Sequence, residues 1–304
     1  MLTSIAKEIM KFGYVFWLFV LVISMQRLTA GDIVSLGNEQ NNYTLSVGER
    51  DKDRLLIQDR LCQTGTERFL RSCGIPVGAR VLEIGCGLGQ CAQVLARIVG
   101  ETGSVLATDI STKQLDLAQL LADKSLRNIE FKNLSVFDLD KTSEKFDVIY
   151  MRFVLLHMPD QAAMLTVVKN ALKPGGKLII EDITGNYTLR GTPDTVGLSY
   201  VKLFDQKQFE MQNCNDCYFD ELPFMVVQQG FKVELLERYH PRLTTVQDRS
   251  LFTYGCASLH DALIGAKKMT EQEYQHMYKV IDDLVHDPKV DLWYYEMGSI
   301  CCTI

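Results

Sequence analysis

The chain has no long run of lysine or arginine. Its 304 residues carry 32 Lys+Arg against 38 Asp+Glu, a formal charge of −6. A general nucleic-acid binder needs a basic footprint to displace counterions, so that class is excluded. The nine cysteines are scattered, apart from Cys214/Cys217 and the adjacent Cys301-Cys302. Such usage suits a reducing compartment better than a disulfide scaffold. Cys214-Asn-Asp-Cys217 is half of a zinc-binding pattern, but no second Cys-x-x-Cys or Cys-x-x-His follows at usable spacing, so no metal is expected. Internal repeats and low-complexity tracts are also missing. The remaining composition, 47% hydrophobic and 23% charged, is ordinary for a globular chain. The length suits one large domain with insertions or two modest ones.

What is present begins with a contradiction. Residues 12–25 read FGYVFWLFVLVISM, fourteen residues without a charge, flanked by Lys7, Lys11 and Arg27. That is short for a spanning helix and right for a signal-peptide core, with Leu28-Thr29-Ala30 as a passable cleavage site. The two lysines favour an N-in orientation. Two readings stand open for residues 1–30. One is a signal- or anchor-like segment, with membrane association only through residues 9–25. The other is a dispensable extension ahead of a start at Met25. The scattered cysteines argue for a cytoplasmic location of the remainder.

Residues 31–74 form a polar, Asn/Gly-rich stretch and then a helical arm. Over residues 49–73, Leu55, Leu56, Leu61, Phe69 and Leu70 recur at helical spacing before Gly74 stops the pattern. From residue 75 onward strands and helices alternate. Strands are expected over 80–84, 104–108, 129–133, 146–151 and 177–182, and helices over 90–99, 113–123 and 160–172. That rhythm means βαβ units and a mostly parallel sheet covered on both faces. Helical insertions at 194–229 and 245–290 then flank a sixth strand over 231–241, and residues 291–304 read as a last strand.

The first strand ends in "VLEIGCGLGQ", with Gly85, Gly87 and Gly89 placed where strand gives way to helix. Glycine there is costly in backbone entropy, so the turn needs positive φ or a very close neighbour. In an α/β protein that neighbour is usually a nucleotide. A dinucleotide fingerprint would put its third glycine where Gln90 stands, which disfavours a nicotinamide enzyme. No Lys or Ser/Thr follows to hold phosphates, which excludes a Walker-type site. Glu83 stands inside the strand, and Asp109 ends the second strand, where a carboxylate can accept both ribose hydroxyls. The pattern favours a ribonucleoside without a pyrophosphate.

The ordered set "VLEIGCGLGQ", "VLATDIS", "NIEF", "FDVIYMRFVLLHMPD" and "ALKPGGKLIIEDI" resembles the class I S-adenosylmethionine-dependent methyltransferases. Within them the chain is similar to the small-molecule branch typified by the ubiquinone/menaquinone-biosynthesis enzymes. The match runs from Arg80 to Asp182 and continues, more loosely, through "QQGFKVELLERYHP". It implies an α/β fold: a Rossmann-like, seven-stranded, mostly parallel sheet with helices on both faces. The last strand, from Asp291, would be antiparallel, and the helical insertions would form a lid. The implied cofactor is S-adenosyl-L-methionine, and the implied partner a small-molecule methyl acceptor. Gly85, Cys86, Gly87 and Gly89 would face the methionine and ribose, and Glu83 the amino group. Asp109 would hold the ribose hydroxyls, with Ile110 beside the adenine. Relatives carry an acid after the third strand to meet the adenine amine. Ser135 stands in its place here, so Ser135 or the Val136 amide would serve. The Arg152 backbone would lie near the methionine, and Tyr43 and Gln58 would reach the cofactor carboxylate from the arm.

Methyl transfer from a sulfonium is an in-line displacement, so positioning and exclusion of water carry much of the catalysis. A general base is needed when the nucleophile is a hydroxyl, an enol or a protonated amine. His157 is one candidate, after the fourth strand, although it could instead cap the helix beginning near Pro159. Glu181 and Asp182, at the end of the fifth strand, are the second candidate pair. No Asn/Asp-Pro-Pro-aromatic run and no magnesium-binding Asp follows the fourth strand, so metal-independent transfer to a small molecule is expected. The acceptor atom (O, N or C) and the oligomeric state stay open. Tyr200, Phe204, Phe209, Phe219, Phe224, Trp293, Tyr294 and Tyr295 would supply an aromatic lid or simply core. The rival class is a non-catalytic member of the same fold that binds cofactor or a partner.

Overall fold

The computed structural model describes residues 45–213 and 218–304. The N-terminal apolar stretch, Tyr43 and the Cys214/Cys217 pair lie outside the described residues.

After a short turn at Gly48–Arg50, the arm is the helix α1 (Lys52–Ser72), which buries Ile57, Cys62, Phe69 and Leu70. The alternating part then follows as β1 (Arg80–Ile84), α2 (Gln90–Val99), β2 (Ser104–Asp109), α3 (Thr112–Leu121), β3 (Ile129–Asn133), β4 (Phe146–Arg152), α4 (Gln161–Ala171) and β5 (Leu172–Ile183). Next come β6 (Arg190–Thr192), α5 (Val196–Gln212), α6 (Leu222–Gln228), β7 (Lys232–Tyr239), β8 (Arg242–Leu243) and the helices α7 (Val246–Arg249), α8 (Leu251–Gly265) and α9 (Glu271–His286). The chain ends in β9 (Asp291–Trp293) and β10 (Met297–Thr303).

The main sheet has seven strands in the order β3-β2-β1-β4-β5-β10-β7. β10 is antiparallel to both of its neighbours, β5 and β7, while the pairs from β3 to β5 are parallel. Period-2 alternation assigns each strand residue to a face. On one face Val81, Val105, Val148, Tyr150 and Ile179 pack with α2, α3 and the end of α1. On the other Leu82, Leu106, Ile149, Met151, Leu178 and Ile180 pack with α4, α5, α6, α8 and α9. Burial on both sides is why β1, β4 and β5 read as nearly continuous apolar runs.

Two sequence expectations need correction. Lys173-Pro174-Gly175-Gly176 does not separate helix from strand. α4 stops at Ala171, and these residues sit in the irregular first part of β5, where the β4 pairing shifts between Phe146 and Val148. Residues 291–304 are also not one strand. β9 leaves the main sheet to pair with β6 and β8 in a small antiparallel sheet, and β10 starts only at Met297. The stretch 245–286 is three helices. Of the lid aromatics, Phe204, Phe209, Phe219, Tyr294 and Tyr295 are buried, whereas Phe224 is 67% exposed. Close approach holds the insertions together: a Cβ on Gly197 of α5 would stand 2.7 Å from Leu284 of α9.

Among the described residues no helix is long and apolar enough to cross a membrane. None of them form a group of three or more His, Cys, Asp or Glu placed to hold a metal.

Candidate active site

β1 delivers the glycine loop to the carboxyl edge of the sheet, and all three glycines have positive φ, at 67°, 52° and 72°. Their surroundings differ. A Cβ on Gly85 would stand 2.4 Å from Val154 Cγ2, and one on Gly89 2.7 Å from the Phe131 ring. One on Gly87 would meet nothing within 4 Å. Two glycines therefore let protein pack closely, and the third faces open space where a ligand can approach the backbone. Cys86 is buried, and burial pushes its thiol well above the ordinary range, which makes it a small turn residue without nucleophilic character.

Asp109 stands at the end of β2, across from the loop. Its Oδ2 accepts the Gly87 amide at 3.0 Å, and its Oδ1 accepts the Ser111 amide at 2.8 Å. Burial raises its pKa, against those backbone donors. Each carboxylate oxygen keeps acceptor capacity for a hydroxyl. Ile110 follows with 52% exposure, an apolar surface of the kind a base can lie on. Asn133 holds this turn by donating to the carbonyls of Asp109 and Ile110 at 3.0 and 2.9 Å. Sequence reasoning missed Asn133, whose signal is a side-chain amide at the end of the neighbouring parallel strand. Ser135 caps the turn after β3, accepting the Phe137 amide at 3.3 Å, and Val136 is buried beside it.

Glu83 is 3% exposed, and its Oε2 is buried without a hydrogen-bond partner among the described residues. Burial pushes its carboxyl up to about 8, with the Arg152 charge pulling the other way. An orphaned carboxyl oxygen beside an open glycine turn fits an ammonium ligand, which would supply the missing charge partner.

The arm closes this edge. Arg152, the last residue of β4, donates to Asp59 at 2.6 Å and to Thr66 at 3.1 Å, both on α1. Its side chain therefore docks the arm, whatever its backbone meets. Gln58 is buried but does not point its amide at open space: it accepts from Arg54 at 3.0 Å and donates to the Tyr294 hydroxyl at 3.0 Å.

The turn after β4 carries His157. Phe153 takes positive φ, 56°, a strained position for an aromatic residue, and its amide donates to the Glu181 carbonyl at 3.0 Å. No sequence signal announces it. His157 does not cap α4; that role belongs to Asp160, which accepts the Ala163 amide at 2.8 Å. The His157 ring instead faces α5, with Nδ1 3.1 Å from Gln212 Oε1 and Phe209 stacked at 6.4 Å between centroids. Burial, the Arg54 charge adding to it, pulls its pKa down to about 4 against the Gln212 bond. Imidazole there is neutral and weakly basic.

Glu181 and Asp182 point to opposite faces. Glu181 accepts from Tyr150 and from Ser299, both at 2.8 Å. Asp182 accepts from the Tyr218 hydroxyl at 2.6 Å and the Leu156 amide at 3.2 Å, and burial pushes its carboxyl up to about 8. Asp182 thus holds the Leu155–His157 turn in place.

A sequence profile described as a methyltransferase domain matches residues 75–238. The chain is 32% identical over 131 residues to a ubiquinone biosynthesis O-methyltransferase of Cereibacter sphaeroides, covering 42% of this chain and 52% of that one. The chain therefore spans about half the length of curated relatives of this kind. It covers 73% of a demethylmenaquinone methyltransferase of Lactobacillus johnsonii, at 31% identity over 187 residues and 55% of its own length. Among solved structures, a Bacillus halodurans C-125 protein assigned as a methyltransferase superposes with a TM-score of 0.52 at 19% identity. That match covers 78% of this chain and 96% of the other, and shares the fold. With the profile spanning more than half of its residues, the chain belongs to the methyltransferase domain family.

Proposed function

We propose that the protein transfers a methyl group from S-adenosylmethionine to a small-molecule acceptor without a metal. The observation that carries this is the orphaned Glu83 Oε2 beside the open face of Gly87 and across from Asp109. When bound, S-adenosylmethionine supplies an electrophilic methyl group on a sulfonium. Glu83 would take its ammonium and Asp109 its ribose hydroxyls, with Ile110, Ser135 and Val136 around the adenine. The names of the curated relatives, a ubiquinone biosynthesis O-methyltransferase and a demethylmenaquinone methyltransferase, support a small acceptor.

The acceptor would sit over the ends of β4 and β5, beneath α5. His157 would line this space as a neutral polar contact, and Phe204 and Phe209 would exclude water. Asp182 would act by fixing the turn that carries His157. We place the activity in the cytoplasm, where free buried thiols such as Cys62 and Cys302 remain reduced.

Titration calorimetry tests the reading. S-adenosylhomocysteine should bind at micromolar affinity and NADH should not. Asp109→Ala removes hydrogen bonds to a charged acceptor, each worth about 1.5–3 kcal/mol, so affinity should fall by about one to three decades in a folded variant. Heat with NADH and none with S-adenosylhomocysteine would overturn the proposal.

A further inference from the structure

Because β10 runs antiparallel, its first residue, Met297, pairs with Ile183 at the carboxyl end of β5. Tyr294 and Tyr295 lie three and two residues before it, so the chain brings them to the same sheet edge as Glu83, Arg152 and His157. Each is 6% exposed, and the rings meet edge to face with centroids 4.8 Å apart. The Tyr295 hydroxyl is buried with no partner among the described residues.

The Tyr294 hydroxyl ends a relay whose direction is forced. Asp51 accepts from Nε and Nη2 of Arg54 at 2.7 and 2.6 Å. Arg54 Nη1 donates to Gln58 Oε1 at 3.0 Å, and Gln58 Nε2 donates to the Tyr294 hydroxyl at 3.0 Å. A guanidinium has no acceptor, so Gln58 must turn its oxygen to Arg54 and its NH₂ group to Tyr294. An NH₂ group also cannot accept, so the Tyr294 oxygen is the acceptor in this bond. Its own proton is left to donate elsewhere, and no described residue receives it. Asp51, Arg54, Gln58 and Tyr294 are all buried, so the order of the relay is held by packing as well as by chemistry.

Burial is the main influence on the Tyr294 hydroxyl and pushes it well above the ordinary range, so it keeps the proton it has to donate. The Arg54 guanidinium is the cation that acts on both His157 and Tyr294, opposed at Tyr294 by Cys62 and by Asp205 of α5. His157 is a poor proton acceptor for the reasons given above.

We propose that Tyr294, oriented by Asp51, Arg54 and Gln58, donates a hydrogen bond to the methyl acceptor, and that the acceptor is held there as an oxyanion of a phenol or enol whose proton has gone to solvent. This rests on the methyltransferase reading and adds the charge state of the acceptor and the residue that stabilises it. Tyr294 is then a binding residue, and Gln58 and Arg54 are positioning residues.

The probe is 4-nitrophenol, whose absorbance distinguishes anion from neutral form, added to the full chain saturated with S-adenosylhomocysteine. The wild-type protein should bind it saturably and shift it toward the anion. Tyr294→Phe deletes the donor. Gln58→Glu keeps the shape but accepts the tyrosine proton, reversing the last link. Each should weaken nitrophenolate binding by about ten- to a hundredfold, with S-adenosylhomocysteine affinity unchanged. Wild-type affinity in both variants, a preference for the neutral phenol, or no nitrophenol binding by the wild type would overturn the inference. Failure of the wild type to bind S-adenosylhomocysteine is a separate result, and it would remove the methyltransferase reading itself.

Discussion

Arg152 Nη2 lies 2.6 Å from Asp59 Oδ1, with side-chain exposures of 10% and 15%, and this ion pair joins the end of β4 to the middle of α1. It has two consequences. The arm is clamped over the edge of the sheet that carries the candidate site, and the Arg152 charge is held where it counters the burial of Glu83. Removing one partner of a buried pair strands the other, which costs about 3 kcal/mol or more. Asp59→Ala should therefore lower the unfolding free energy by about that amount in urea denaturation, with Asp59→Asn intermediate. A loss below about 0.5 kcal/mol would mean that the pair is wet and the arm loosely docked.

Glu83 should make cofactor binding a proton-releasing event. With its carboxyl pushed up to about 8, it is protonated in the free protein at neutral pH, and an arriving ammonium favours the carboxylate. S-adenosylhomocysteine binding at pH 7 should then release up to about one proton, seen as a binding enthalpy that varies with buffer ionisation. Glu83→Gln should abolish the variation. The same shift sets a stability trend. A raised folded pKa contributes stability that is complete below the ordinary carboxyl range and is lost as pH rises through about 8. The free wild-type protein should lose more stability than Glu83→Gln across that window. Asp182 acts in the same direction in both proteins. Parallel curves would place Glu83 in water.

The glycine turn and the place of Asp109 opposite it were legible in the sequence because they are local. Strand, glycines and helix follow one another, and Asp109 ends the very next strand. The contacts that dock the arm and orient the proposed acceptor residue were not, because they span the chain. Gln58 meets Tyr294 across 236 positions, and Arg152 meets Asp59 across 93. The arm amide thus read as a cofactor contact when its partner is a tyrosine from the far end. Turn chemistry misled in the same way at Lys173-Pro174-Gly175-Gly176, where tertiary pairing draws punctuating residues into β5. His157 was correctly placed after β4, but its weak basicity depends on α5, which no local pattern connects to it.

Gly87 and Gly89 should respond differently to one methyl group, although both have positive φ. Alanine at either position incurs left-handed backbone strain of about 1–2 kcal/mol. At Gly89 the new Cβ would also press on the Phe131 ring, 2.7 Å away, and on Ala118. Gly89→Ala should therefore lower the melting temperature clearly more than Gly87→Ala. At Gly87 the space is open, so under the proposed function the methyl group would occupy volume that the cofactor takes. Gly87→Ala should show the larger loss of S-adenosylhomocysteine affinity in calorimetry. The reverse ranking in both measurements would put the ligand on the other side of the loop.

His157 gives the most direct test of whether the acceptor space is dry in solution. Its depressed pKa, about 4, has burial as the main cause, with the Arg54 charge adding to it and the Gln212 bond opposing it. A lowered folded pKa contributes stability that is present above the ordinary histidine value and is lost as pH falls from there toward about 4. Histidine resonances followed by NMR should separate two cases. The His157 ring should titrate well below the ordinary range, while His260, bonded to Asp261 and Glu271 at 2.9 and 3.0 Å, should titrate above it. His157→Phe should remove its share of the acid destabilisation and leave S-adenosylhomocysteine affinity intact. A His157 midpoint at the ordinary histidine value would show that α5 opens and water enters. The space beneath α5 would then be a solvated cleft, and a protonatable His157 would regain its candidacy as the base.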